Sequence, residues 1–144
     1  MKNFIFCCIL GCFFTSCDVR NKDKQSIEVP ESNAANTPTT VQVIDRIYDF
    51  GEVAEGEIVE FNFRFKNTGS SPLVVTNVAA SCGCTVPEKP EQPIRPGEIG
   101  FIKAKFDSAK RPGEAMKTIT VTSNAAPPFP ELVLKGKVLP KKTT

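Results

Sequence analysis

Between Glu60 and Lys66 the chain alternates strictly: Phe61, Phe63 and Phe65 fall on one side, and Glu60, Asn62, Arg64 and Lys66 on the other. Successive side chains leave a β-strand in opposite directions, so a period of two marks a strand with one face buried and one in water. The pattern returns downstream. Ile102, Ala104 and Phe106 alternate with Lys103 and Lys105; Ile119 and Val121 alternate with a threonine row, Thr118, Thr120 and Thr122. Leu132, Leu134 and Val138 alternate with Val133, Lys135 and Lys137. Residues 73–78 are apolar on both faces and predict a more deeply buried strand, and 41–47 predicts an earlier one. Turn formers separate these runs: Asn67-Thr68-Gly69-Ser70, Pro93, Pro96-Gly97 and Arg111-Pro112-Gly113-Glu114. No helical period follows residue 17. Six or seven short strands at this spacing predict an all-β sandwich over residues 41–140, with 141–144 a polar tail.

The amino end follows different rules. Lys2, an apolar run from Phe4 to Phe14 and the small residues Thr15-Ser16 lead directly into Cys17. A positive start, a short apolar core and a small-residue exit describe a secretory signal peptide over residues 1–16, too short to span as a mature helix. Phe14-Thr15-Ser16-Cys17 resembles a bacterial lipobox, with Phe14 where Leu is usual. That resemblance implies that Cys17 is the lipid-attachment residue and the first residue of the mature chain. Residues 17–40 are polar, carry Pro30 and Pro38, and have no sustained period. They read as a flexible tether, with a coil span of roughly 25–30 Å.

Removing the leader changes the cysteine count. Cys7, Cys8 and Cys12 leave with it and Cys17 carries lipid, so of the six cysteines only Cys82 and Cys84 stay free for other chemistry. Two cysteines are no disulfide framework, and the fold must rest on its apolar core. Eighteen basic and 16 acidic residues are scattered rather than blocked, which provides no basic face for nucleic acid.

Several phrases taken together resemble one family. They are Tyr48-Asp49-Phe50-Gly51-Glu52-Val53 with Gly56, Phe65-Lys66-Asn67-Thr68-Gly69 with Pro72-Leu73, and Ser81-Cys82-Gly83-Cys84-Thr85-Val86-Pro87. Ile94-Arg95-Pro96-Gly97-Glu98, Phe106-Asp107-Ser108 and Arg111-Pro112-Gly113 complete the set. In this order and spacing they look like the bacterial domain-of-unknown-function family numbered 1573, common in lipoproteins of the Bacteroidetes. The resemblance covers about residues 45–138 and implies an immunoglobulin-like β-sandwich of about seven antiparallel strands, akin to the PapD-like and ASH groups. It implies no activity, and a fold alone licenses none.

Cys82-Gly83-Cys84 is the one motif that could carry chemistry, with Gly83 free to bend the backbone between the two thiols. Its readings stay open: a quiet structural pair or disulfide, an exchangeable dithiol, or a Cu(I) or Zn(II) thiolate site. A bridge between strand-like neighbours would need a kink and would be strained. Two thiolates do not close a zinc site, the chain has no histidine, and Met116 is the one mature methionine available as a soft third ligand. Without histidine, a serine or cysteine nucleophile also lacks its usual base. The acids Asp45 and Asp49, and Glu52 and Glu55, fall in a turn-rich stretch where exposed carboxylates are ordinary. Phe101, out of phase with its strand, and the loop Ala125–Pro130 are candidates for an apolar contact surface or a cap on the sandwich end.

The sequence therefore predicts a non-enzymatic, monomeric interaction module without cofactor or metal. It would be held at a membrane by its lipid and contact an envelope protein or a polysaccharide through its loops or an edge strand. The alternative is a thiol-redox or copper-handling protein using Cys82 and Cys84. Asp18 and the lack of a following acidic run favour a periplasm-facing protein over a cell-surface one.

Overall fold

The structure is a computed structural model and describes residues 36–141. The leader, Cys17 and most of the tether lie outside the described residues, as do residues 142–144.

Eight strands form two four-stranded sheets, with no helix among the described residues. The strands are β1 (Val41–Val43), β2 (Ile47–Ala54), β3 (Ile58–Asn67), β4 (Val75–Ala80), β5 (Thr85–Glu88), β6 (Ile99–Asp107), β7 (Gly113–Ser123) and β8 (Leu132–Leu139). One sheet runs β1-β3-β6-β5 and the other β2-β8-β7-β4. The expected all-β sandwich is present, with two differences from the expected seven antiparallel strands. There are eight strands, because Ile47–Ala54 and Thr85–Glu88 are both strands. One pair is parallel, β2 against β8, since the chain crosses between sheets at Ile44–Arg46 and enters the second sheet in the direction of β8.

The core follows the alternation. Phe63, Phe65, Ile102, Phe106, Ile119, Leu132, Leu134 and Val138 are buried between the sheets, and Tyr48 stacks on Phe61 at 3.8 Å between ring centroids. Burying each large apolar side chain contributes about 2–3 kcal/mol, which is why so small a core can hold without a disulfide framework. Cross-strand lysine–carboxylate pairs, Lys105–Glu60, Lys103–Glu88, Lys135–Asp49 and Lys137–Glu52, lace the outer faces.

Two poles organise the molecule. At one lie the β3–β4, β5–β6 and β7–β8 loops together with the incoming residues Thr37–Thr40. The domain begins before Val41, inside the stretch expected to be tether. Thr39 is buried, bridges Ala125, and donates from Oγ1 to Asn67 Oδ1 at 3.0 Å and Ser71 O at 2.9 Å. At the opposite pole lie the β2–β3, β4–β5 and β6–β7 turns. There Ser108, also buried, accepts from Gly56 N and donates to Ala54 O and Glu57 O.

Candidate functional site

The β4–β5 connection carries the chain from one sheet to the other, and its turn holds the cysteine pair. β4 ends because Ser81 donates its N–H to Thr118 O at 2.9 Å while its hydroxyl accepts from Thr118 N. The chain then bends over the edge of the sandwich. Thr85 N donates to Cys82 O at 3.2 Å, and Asp107 N donates to Cys84 O at 2.9 Å, fixing the start of β5 against β6.

Cys82 and Cys84 are joined in a disulfide, with a Cα–Cα distance of 5.3 Å. That distance is ordinary for a disulfide. It is reached because the pair occupies a turn and not an extended strand, so the strain expected from an extended geometry does not apply. Gly83 is not at positive φ, and a Cβ there would meet open space, so the turn does not require glycine at this position. Cys84 is buried in the core cluster while Cys82 packs half-buried against it. Both sulfurs lie near the Thr85 hydroxyl, at 3.8 and 4.0 Å. Among the described residues no group of three or more Cys, Asp and Glu gathers as a metal site. Met116 points outward from β7, 70% exposed.

The acids singled out in the sequence are distributed among basic or backbone partners. Asp45 takes two hydrogen bonds from the Arg64 side chain, at 2.7 and 3.0 Å, which hold its carboxyl below the usual carboxylate range. Asp49 and Glu52 flank the β2 bulge at Gly51 and pair with Lys135 and Lys137 across a shallow depression of about 510 Å³. Glu55 accepts from Lys141 N. These four carboxylates do not converge on a common point.

The remaining candidates separate. Phe101 projects from the outer face of β6, 46% exposed. Phe129, from the loop Ala125–Pro130, sets its ring edge-on to Phe65 at 5.2 Å and so caps the core. The threonine row lies on the outer face of β7 beside the free edge of β4.

That edge differs from the other three. β1 is three residues long, β5 contains Pro87 and Glu88, and β2 carries Asp49, Glu52 and a bulge. β4 has six residues, none charged, and no charged residue occurs anywhere from Asn67 to Pro87. Its exposed side chains, Thr76, Asn77 and Ala79, join Thr120 and Thr122 in a neutral surface. Exposed edges are usually guarded by charge, proline, shortness or a bulge. β4 has neither charge nor proline, and its one guard is a bulge at Thr76 of the kind β2 also carries.

Sequence reasoning missed Lys117. Lys117 falls on the inward phase of β7, with Ala115 and Ile119, and its Nζ lies 5.6 Å from the centre of the buried Phe106 ring. An inward lysine contradicts the alternation rule; its signal was being in phase with Ile119 and Val121.

Comparison with known proteins gives a family and a fold. Residues 41–138 match the family described as "Protein of unknown function (DUF1573)". A search of curated proteins returned no match. Among solved structures the chain is similar to a protein of unknown function from Porphyromonas gingivalis W83, at 18% identity and a TM-score of 0.62. The match covers 72% of this chain and 48% of that one, so the chain spans about half the length of that relative. It is also similar to the ASH/PapD-like domain 7 of human CEP192, at 12% identity and a TM-score of 0.54, over 72% of this chain and 88% of that one. At such identities the likeness is one of fold alone.

Proposed function

The chain belongs to the family described as protein of unknown function (DUF1573), and on that premise we propose that it is a lipid-anchored module of the bacterial envelope that captures an extended segment of a partner protein on the free edge of β4. The observation that carries this reading is the uncharged, six-residue β4 edge. In an antiparallel ladder alternate residues turn their N–H and C=O groups away from the neighbour, so the free side of β4 offers a row of backbone donors and acceptors. An added strand satisfies that row and lays its side chains beside the neutral surface of Thr76, Ala79, Thr120 and Thr122. An uncharged edge favours a partner segment rich in β-branched and small polar residues over an acidic or basic one. A polysaccharide would look instead for converging polar side chains and exposed rings, which this edge does not offer.

The anchor is the other half of the reading. The tether joins the domain at Thr37–Thr40, at the pole opposite the disulfide turn, and β4 runs between the two poles. A lipid on Cys17 would leave this edge accessible from the side. The test has two arms. Fatty-acid labelling and membrane fractionation of wild type and Cys17→Ala should show label and membrane association lost together. Asn77→Lys with Ala79→Lys should leave the melting temperature within a few degrees, because both side chains are exposed, and abolish capture of the partner segment. Capture undiminished by two lysines on the edge contradicts the docking mode.

A further inference from the structure

We propose that the Cys82–Cys84 disulfide is exchangeable with external thiols and that Lys117 is the cation that holds the thiolate released when it opens. This goes beyond edge docking and does not rest on it.

The argument starts from register. β4 and β7 pair Ala79 with Thr120 and Ala80 with Ile119, and the Ser81–Thr118 hydrogen bonds extend the ladder one step further. The same register, continued into the turn where the chain leaves β4, brings Cys82 toward Lys117. Lys117 shares the inward phase of Ala115 and Ile119, so its stem enters the gap between the sheets that the disulfide turn closes. The ammonium stops over Phe106. Phe106 is the register partner of Thr85, and the next residue, Asp107, donates its N–H to Cys84 O. Both sulfurs lie within 4.0 Å of the hydroxyl of Thr85, so the cysteine pair and the lysine head lie on the two members of the Thr85–Phe106 pair.

The charges around this point make the lysine's own charge available. Among the described residues no carboxylate lies within ion-pair distance of Lys117. No acid or base occurs on β4 or in the disulfide turn. On the neighbouring strands Asp107, Lys105 and Glu114 are exposed on outer faces, Asp107 being also bound to Ala109 N, and Glu88 is exposed and paired with Lys103. At the same pole the β6–β7 turn adds Lys110 and Arg111, and the β2–β3 turn adds Glu55, bound to Lys141 N, and the exposed Glu57. A thiolate formed on Cys84 is favoured by the Lys117 ammonium and opposed by its apolar burial, and the proposal requires the ammonium to win.

The chemistry is thiol–disulfide exchange with an alkyl thiol such as glutathione or a protein cysteine. The external thiolate attacks the sulfur of Cys82, the more exposed of the two. A new S–S bond forms to Cys82, the Cys82–Cys84 bond breaks, and its electron pair leaves on Cys84 as a thiolate beside Lys117. A second external thiolate then attacks the external sulfur of the mixed disulfide, releasing Cys82 and an external disulfide. Two external thiols are oxidised and one protein disulfide is reduced; run backwards, the same steps reoxidise the pair.

The experiment uses the full chain in detergent. Thiols are counted before and after incubation with reduced glutathione, and the reduced protein is alkylated with iodoacetamide across pH 5–10 for wild type, Lys117→Met and Lys117→Arg, with melting curves for each. Glutathione should raise the count by two. The wild-type alkylation midpoint should fall below the free-cysteine value of about 8.5. Lys117→Met should react about tenfold more slowly at pH 7, one pKa unit's worth, while Lys117→Arg follows wild type. A disulfide that glutathione leaves closed overturns the proposal, as does a wild-type midpoint at or above about 8.5. The latter needs no variant, so it decides the matter even where Lys117→Met fails to fold; a folded Lys117→Met whose profile superimposes on wild type overturns the role of the lysine. The first result leaves a purely structural disulfide; the other two leave an exchangeable pair whose thiolate Lys117 does not hold.

Discussion

Replacing Asn67 by alanine tests how the tether-side pole is held. Asn67 is fully buried at the end of β3, and its amide is saturated. Nδ2 donates to Ser71 O at 2.8 Å and Ile94 O at 2.9 Å, while Oδ1 accepts from Thr39 Oγ1 at 3.0 Å and Gly69 N at 3.1 Å. These four bonds tie the β3–β4 turn, the β5–β6 loop and the incoming chain to one side chain. At about 0.5–1.5 kcal/mol net for each, their loss alone would cost roughly 2–6 kcal/mol. Every partner, however, has a second bond. Ser71 O keeps Thr39 Oγ1, Ile94 O keeps Leu73 N, and Gly69 N keeps Thr40 O. No group is left without a partner, so the lower half of that range applies, about 2–4 kcal/mol. For a domain of this size that lowers the melting temperature by on the order of 10–20 °C. Urea denaturation of the two proteins, with unchanged slope, measures it directly. A loss below about 1 kcal/mol would refute the reasoning, since the amide would then be dispensable to the pole.

Other outcomes follow from the same structure. A Cβ on Gly136 would collide with the Phe50 ring and Gly51 O, whereas one on Gly83 meets nothing; Gly136→Ala should cost about 1–3 kcal/mol by denaturation and Gly83→Ala close to none. Because Arg64 depresses the folded-state pKa of Asp45, that pair stabilises the fold above the unfolded carboxylate value of about 4 and loses its effect as pH falls through the lower folded value. The stability gap between wild type and Asp45→Asn should therefore be present at pH 7 and shrink below about pH 4 in melting curves; a gap independent of pH would assign it to packing. Deleting residues up to Thr40 should destabilise the domain, because Thr39 supplies buried hydrogen bonds to Asn67 and Ser71, whereas deletion up to Asn36 should not.

Much of the fold was legible because β3, β6 and most of β8 alternate cleanly, each pairing a buried and a watered face. What escaped had local reasons. β2 alternates through Tyr48 and Phe50, but the bulge at Gly51 breaks the phase before Val53, so glycine and acids there resemble a turn. β5 is four residues long and contains a proline, which fits only an edge. β7 begins at Gly113 inside an apparent turn, with Met116 outward and Lys117 inward against the hydrophobic rule. Thr39 carries no periodic signal; its burial depends on Asn67 and Ala125, distant in sequence. The cysteine pair could be found from spacing alone, but its cation could not, since that needs the β4–β7 register. Asn67 and Ser108, central to the motif phrases, prove to be clamps at the two poles.

Site-specific photocrosslinking in living cells addresses edge docking most directly. A photoreactive residue placed at Asn77, on the β4 edge, should give a discrete crosslinked species, and the added substitution Ala79→Lys should remove it. The same probe at Asn62, on the outer face of the other sheet, should give none. Equal crosslinking from both positions, or a species at Asn77 indifferent to Ala79→Lys, would contradict capture by strand addition.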